Sequence, residues 1–508
     1  MTETQTTTTA TLFGNNGHRL EPQPLRDGDP DTLLRESADD SGNAQCMYYL
    51  YGSQFRYCKA YGWLYYNGKY WDMTNAEALV KRAATDVLLR RRTEAVKHDR
   101  EAIVRATRAT AHNIRSCLYV FDSLITIDVS EFDKSPDLLN CQNGVVDLRT
   151  GKITPHDPRQ YFTYAIPVDY NPAANTDQWL QFLHDVVGQK QEIVDYLQLS
   201  IGYSLTGHTW EEILFYVHGP TRSGKGTFTE TLLAMMGKEP LATEVDFVTF
   251  TAQRDQDTQN FDLAPLKPCR FIVASESSKY QSFNTAKVKQ LTGGNEIRCS
   301  FKHKTHFSYR PQFKIWLCSN EPVNADPDDD AVWYRIRVIE FPNSYAGRED
   351  KRLKARLREP DNLRGVLRWA IEGAQKWYAL EKRGLQTPAE IQDATQNARE
   401  GVDVLGQFLA ECVRQTDEQG EPLSDELDRV ANDVLYPRYK AWCDENGHKP
   451  KGQTGLTRSL KAKGIRAGER YKKTFKKDGK EFTKTVSGVW GIQLIEYDPY
   501  EDAMRERK

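Results

Sequence analysis

The sequence predicts an α/β protein: a central domain of buried parallel strands around a glycine-rich loop, an α-rich domain before it, and a smaller domain of helices and a β-wing after it. Three observations predict this. Between Ile213 and Pro342 short apolar runs (ILFYVHG, CRFIVASE, FKIWLCSN, RIRVIEF) alternate with polar loops, the pattern of strands covered on both faces. The first run leads directly into a glycine-rich loop and a helical pattern, FTETLLAMM. Longer stretches with helical periodicity lie on either side, from Ala76 to Ser116 and in NLRGVLRWAIEGAQKWYAL.

A chain of 508 residues is too long for one core and suggests two to four domains. Hydrophobic residues make up 39% and charged residues 28%, and no apolar run reaches the length of a membrane span, so no membrane partner is expected. The start, MTETQTTTTATLFG, lacks the basic and apolar segments of a secretory signal, and a cytoplasmic protein is expected. The nine cysteines show neither a CxxC pair nor zinc-ligand spacing. A net charge of -2 excludes a uniformly basic nucleic-acid coat, so local patches matter more than the total.

Residues 1–40, rich in Thr, Asp, Pro and Gly, are expected to form a disordered leader. The α-rich domain is assigned to 41–205. In it GWLYYNGKYWDM surrounds an Asn67-Gly68 turn, and LLNCQNGVVDLRTGKITPHDP forms short strands joined at Asn143-Gly144 and Thr150-Gly151. Helices from Gln178 to Leu205 follow. The α/β core is assigned to 206–385, a polar helical linker to 386–402 and the last domain to 403–508. No internal repeat is present.

The sharpest motif is GPTRSGKGT: Gly219, Pro220, Thr221, Arg222, Ser223, Gly224, Lys225, Gly226 and Thr227. Glycines let backbone wrap a phosphate chain, the helix N-terminus attracts negative charge, and Lys225 is spaced to reach the β- and γ-phosphates of ATP. A surface turn with a chance lysine is the competing reading, against which the flanking strand and helix both argue. Gly226 stands where such P-loops place Ser or Thr against Mg²⁺, so the metal is expected on Thr227 or through an intervening water. CRFIVASE ends in Glu276, the candidate general base and second metal support. FKIWLCSN ends in Asn320, a candidate hydrogen-bond partner for the γ-phosphate or the attacking water. WYRIRVIEF supplies Arg335 and Arg337, either of which could stabilise phosphoryl charge across a subunit boundary. Singly, each of these residues is as readily a turn, cap or salt-bridge residue; their order and spacing carry the reading. GKGT also occurs in nucleotide kinases, a rival that needs an acceptor site and lid not visible in the sequence.

On these motifs the chain resembles the superfamily 3 helicases, in particular the helicase part of phage and plasmid primase-helicases and of the poxvirus primase-helicase. GPTRSGKGT is similar to their Walker A, RFIVASE to Walker B, KQLTGGNEIRCSFKHKTHFSYRPQFKIWLCSN to the B-prime and sensor block, and WYRIRVIEF to the arginine-finger segment. The resemblance extends over about residues 45–400. It departs at Asn295, where the family usually has Asp, and at Tyr334, where it usually has Arg. It implies an AAA+-like homo-hexamer that hydrolyses ATP with Mg²⁺ between subunits and moves 3′ to 5′ on single-stranded DNA, with Arg335 as the finger. The expected activity is that of a replicative DNA helicase of a phage, plasmid or other mobile element in the host cytoplasm. The leader leaves no room for a polymerase fold, so any primase or polymerase is expected as a separate protein.

For DNA, IRCSFKHKTHF alternates like a hairpin with a basic tip at Lys302, His303 and Lys304. The resemblance implies that Lys302 and His303 line a central channel; Lys304 joins them on charge alone. The basic stretch from Lys449 to Lys484 resembles the winged-helix domain found after such helicases, a module for fork or origin DNA. Solvated charged hairpins are the competing reading for both. A replication initiator with a structural ATP site is the alternative function.

Overall fold

The computed structural model describes residues 30–246, 261–275, 283–302, 304–417, 419–424, 428–477 and 480–495. They form two compact units, one comprising Met1–Ser277, Ala286–Asn320 and Ile339–Pro388, the other Ser278–Thr285, Glu321–Val338 and Ala389–Lys508.

The first unit opens with helices α1 (Pro30–Arg35) and α2 (Asp40–Tyr51), strands β1 (Phe55–Cys58), β2 (Gly62–Tyr66) and β3 (Trp71–Asp72), and helices α3 (Ala76–Lys97), α4 (Glu101–Ala106) and α5 (Ala111–Leu124). The Asn67-Gly68 turn forms as expected: Asn67 Oδ1 accepts from the backbone N–H groups of Lys69 and Tyr70. The expected helical stretch from Ala76 to Ser116 is instead three helices, broken at Asp99 in the left-handed region and restarted where Thr110 caps α5. Residues 30–40 are not part of a leader. Leu33 joins the core with Met47, Val80, Val87 and Phe121. The fully buried Arg91 donates to the carbonyls of Leu33, Glu36 and Ser37 and to Asn43 Oδ1, so that polar stretch is ordered by a guanidinium far along the chain. Residues 1–29 lie outside the described residues.

A three-stranded meander follows, β4 (Leu138–Cys141), β5 (Gly144–Asp147) and β6 (Ile153–Thr154), turning at Asn143-Gly144 and near Gly151 as expected. Helices α6 (Asp177–Val186) and α7 (Gln191–Leu205) then lead to the central sheet. Trp179, Phe182, Leu183 and Val186 repeat with helical spacing along the buried face of α6.

The sheet contains β7 (Leu214–His218), β8 (Ala242–Asp246), β9 (Phe271–Ser275) and β12 (Lys314–Ser319), all parallel, in the order β7-β12-β9-β8. Strand β13 (Ile336–Glu340), whose last two residues belong to this unit, completes it beside β7. Every residue of β12 is buried, which explains the apolar run from Ile315 to Cys318. Helix α8 (Lys225–Met236) packs against the sheet through Phe228, whose ring lies 5.6 Å from that of Trp316. Helix Pro360–Ala379 packs on α7 so closely that a Cβ at Gly202 would lie 2.1 Å from Gly373 backbone. Strands β10 (Ile297–Cys299) and β11 (Phe307–Tyr309) form a separate antiparallel hairpin.

The second unit has its own core, including Leu405, Phe408, Leu435, Tyr439, Trp442 and Leu460. Helices Val404–Cys412, Asn432–Glu445 and Gln453–Ala462 accompany the short strand β14 (Val413–Arg414), paired with Gln493–Leu494, and a three-stranded antiparallel sheet, β15 (Arg429–Ala431), β17 (Lys480–Trp490) and β16 (Ala467–Lys477), with β17 in the middle. The expected 206–385 domain is divided: 321–338 groups with this unit. Arg399 donates to the Pro327 carbonyl and pairs with Asp330, while Lys451 and Lys463 each lie 3.6 Å from Asp328. Four acidic residues in a short loop need such cations nearby, and segments distant in sequence supply them.

Candidate nucleotide-binding site

The register of the central sheet assembles the site. Ser319 on β12 is paired with His218 on β7, so the loop after β7 and Asn320 after β12 leave the sheet side by side at its C-terminal edge. The loop needs a left-handed residue at Gly224 (φ 99°), where a Cβ would lie 2.5 Å from Val186 Cγ1, so only glycine fits. The Lys225 ammonium folds back into this loop. It donates to the carbonyls of Gly219 (2.6 Å) and Pro220 (2.9 Å), to Ser223 Oγ (3.1 Å) and to Asn320 Oδ1 (2.7 Å). Desolvation lowers its pKa from the ordinary lysine value, and the Cys318 thiol nearby is pushed up to about 12 by burial, so it stays protonated.

Residues Thr221 to Thr227 and Asn320 line one side of a cleft of about 910 Å³. That volume suits a nucleoside triphosphate. The other walls are α6, through Gln178, Gln181, Phe182 and Asp185, and the segment after β13, through Tyr345, Arg348, Lys351 and Lys354. The sequence reading passed over both walls. The basic run GREDKRLKARLRE was the available signal for the second; α6 offered none, because its cleft-lining residues are ordinary helix residues. Gly226, in the first turn of α8, is exposed, and a Cβ there meets only Glu230 Oε1 at 3.8 Å. Thr227, partly buried in the same turn, is the hydroxyl that follows Gly226 at the cleft.

Ser275 pairs with Cys318 in the sheet, and Glu276, the expected general base, lies outside the described residues. Arg335 and Arg337 do not line this cleft; they belong to the other unit. Each donates to a local carbonyl, Arg335 to Ala331 and Arg337 to Tyr334. The β10–β11 hairpin forms with Lys302 and Lys304 exposed between its strands, and His303 lies outside the described residues. In the second unit β16 and β17 make a long hairpin that sets Lys473 opposite Lys484.

Comparison with known proteins finds three family models along the chain. A model described as D5 N terminal like matches residues 44–188, a family of unknown function matches 217–336, and a model described as poxvirus D5 protein-like matches 400–491. The chain is 24% identical over 334 residues to "Putative helicase L207/L206" of Acanthamoeba polyphaga mimivirus, covering 62% of the chain and 34% of that protein. It is 22% identical over 339 residues to "Putative helicase 121R" of Invertebrate iridescent virus 3, covering 61% and 35%. The chain thus spans about a third of the length of the curated relatives it matches. The apo structure of the NrS-1 C-terminal region covers 67% of the chain and 87% of its own length, at 12% identity and a TM-score of 0.40. The D5-type models at the two ends of the match and the viral putative helicases together support a poxvirus D5-like primase-helicase family for this chain.

Proposed function

We propose that the chain is an ATP-driven DNA helicase of the superfamily 3 type, working as an AAA+-like ring in the replication of a virus, phage, plasmid or other mobile element. The observation that carries this reading is the meeting of Lys225 and Asn320 at the C-terminal edge of adjacent parallel strands, beside a cleft of nucleotide size. The Lys225 ammonium donates to uncharged acceptors, loop carbonyls and Asn320 Oδ1, and is paired with no carboxylate among the described residues. A triphosphate would offer it stronger, charged acceptors, drawing the ammonium out of the loop and freeing the Asn320 amide for the γ-phosphate or the attacking water. Thr227 would hold Mg²⁺, which supplies charge neutralisation on the phosphates, and Glu276 would orient the water.

Arg335 from a neighbouring subunit would complete the site. A guanidinium so placed is worth about 10³ or more in turnover. Single-stranded DNA would be held by Lys302, His303 and Lys304 as point charges, without base readout. The helices and long hairpin of the second unit support a winged-helix reading, with fork or origin duplex as the ligand.

ATP hydrolysis measured with and without single-stranded DNA, in wild type, Lys225→Ala and Glu276→Gln, tests the proposal. DNA-stimulated turnover lost in both variants is expected. DNA binding without hydrolysis in wild type would leave a replication initiator with a structural nucleotide as the better reading.

A further inference from the structure

The segment between β13 and helix Pro360–Ala379 is fastened to the glycine-rich loop at three points. Ser344 Oγ donates to the Thr221 carbonyl (3.0 Å), the Tyr345 N–H donates to the Arg222 carbonyl (3.0 Å), and Glu349 pairs with Arg222 (2.9 Å). Tyr345 is also anchored to α6, its hydroxyl donating to the Asp185 carbonyl (2.7 Å). This tethering sets a row of cations along the cleft. Most of them are neutralised: Lys354 pairs with Glu230, Arg356 with Asp350 (2.7 Å), and Lys351 shares the field of Glu349 with Arg222.

Arg348 differs. Its guanidinium carbon lies 5.2 Å from the Tyr345 ring centroid and Nη2 donates to the Ser344 carbonyl (3.2 Å), while no carboxylate pairs with it among the described residues. A planar donor fork held over an aromatic ring and lacking its own anion matches a phosphate oxygen pair. We propose that Arg348 is a phosphate ligand of this site acting within its own subunit, gripping the polyphosphate chain of a bound nucleoside triphosphate from the segment after β13. The inference rests on reading the cleft as a nucleotide site. It assigns the second cation of that site to this chain's own residues, separate from any arginine offered by a neighbour. Because the same segment holds the Thr221 and Arg222 carbonyls, the grip also bears directly on the loop.

Calorimetric titration of the full chain with ATP, GTP and AMP, in wild type, Lys225→Ala, Arg348→Ala and Arg348→Lys, tests the inference. Arg348 is exposed, so its variants are expected to fold, which thermal melts verify. Arg348→Ala should weaken ATP and GTP alike by about 10-fold or more while AMP changes less than about twofold, and Arg348→Lys should recover part of the loss. Unchanged ATP affinity in Arg348→Ala overturns the inference, as does an equal loss for AMP accompanied by an altered ATP-to-GTP ratio, the mark of a base contact. Nucleotide binding in wild type that is lost in Lys225→Ala but kept in Arg348→Ala defeats this inference alone; no binding by wild type defeats the nucleotide reading itself.

Discussion

Gly224 and Gly226 lie two residues apart on either side of the start of α8, and the structure assigns them opposite tolerances. At Gly224 a side chain meets both a positive φ and Val186, so Gly224→Ala should distort the loop and abolish nucleotide binding, with a stability cost of about 1–3 kcal/mol in thermal melts. At Gly226 the backbone is helical and the space is open, so Gly226→Ser should fold at least as stably as wild type, since serine in a helix is favoured over glycine by up to about 0.5 kcal/mol. It also restores a hydroxyl where related loops hold Mg²⁺. Its hydrolysis should therefore reach half-maximum at lower Mg²⁺, and an unchanged Mg²⁺ requirement would mean that Thr227 alone sets the metal affinity. The departure at Gly226 is legible in the sequence because the identity of a residue is local. It did not show that Lys225 is occupied by Asn320, which follows from a strand pairing between residues about a hundred positions apart.

At the scale of elements, the loop before β7 is tied to the N-terminal meander and to helix Pro360–Ala379 through one carboxylate. Asp137 accepts from His208 Nε2 (2.6 Å) and the Tyr378 hydroxyl (2.6 Å), with Arg149 at 3.3 Å. Burial lowers the pKa of the His208 imidazole, and the Asp137 hydrogen bond offsets this only in part, so the ring is neutral at pH 7. An unfolded histidine titrates near about 6.5. As pH falls through that value the unfolded chain takes up a proton that the folded chain does not, so stability decreases toward acid until the folded ring also titrates. The melting temperature should accordingly fall more between about pH 7.5 and pH 5.5 in wild type than in His208→Gln, which keeps an N–H donor but no titration. Equal slopes in the two proteins would remove His208 from the linkage. The strands, turns and amphipathic helices around this cluster were largely legible as periodicity. The cluster was not, since its members come from four separate segments.

At the scale of the whole molecule, the proposed ring needs each active site to draw Lys225 from one subunit and Arg335 from the next. Lys225→Ala and Arg335→Ala should each be inactive alone, and mixing them should restore a fraction of the hydrolysis rate, because some interfaces then combine an intact lysine with an intact arginine. No recovery over a range of mixing ratios would count against shared sites. By itself the sequence determined the α/β class, the strand–loop–helix around Lys225, the identity of Asn320 as the residue leaving the neighbouring strand, and the hairpin carrying Lys302 and Lys304. Those features depend on backbone preference and hydrophobic period over a few residues, which a linear reading captures. Only the tertiary structure decided that residues 30–40 are ordered around Arg91, that 321–338 group with the C-terminal unit, and that α6 and the Tyr345–Arg348 segment wall the cleft. Each of these is settled by a charged or hydrogen-bonding group meeting partners far away in sequence, and that meeting depends on the path of the folded chain.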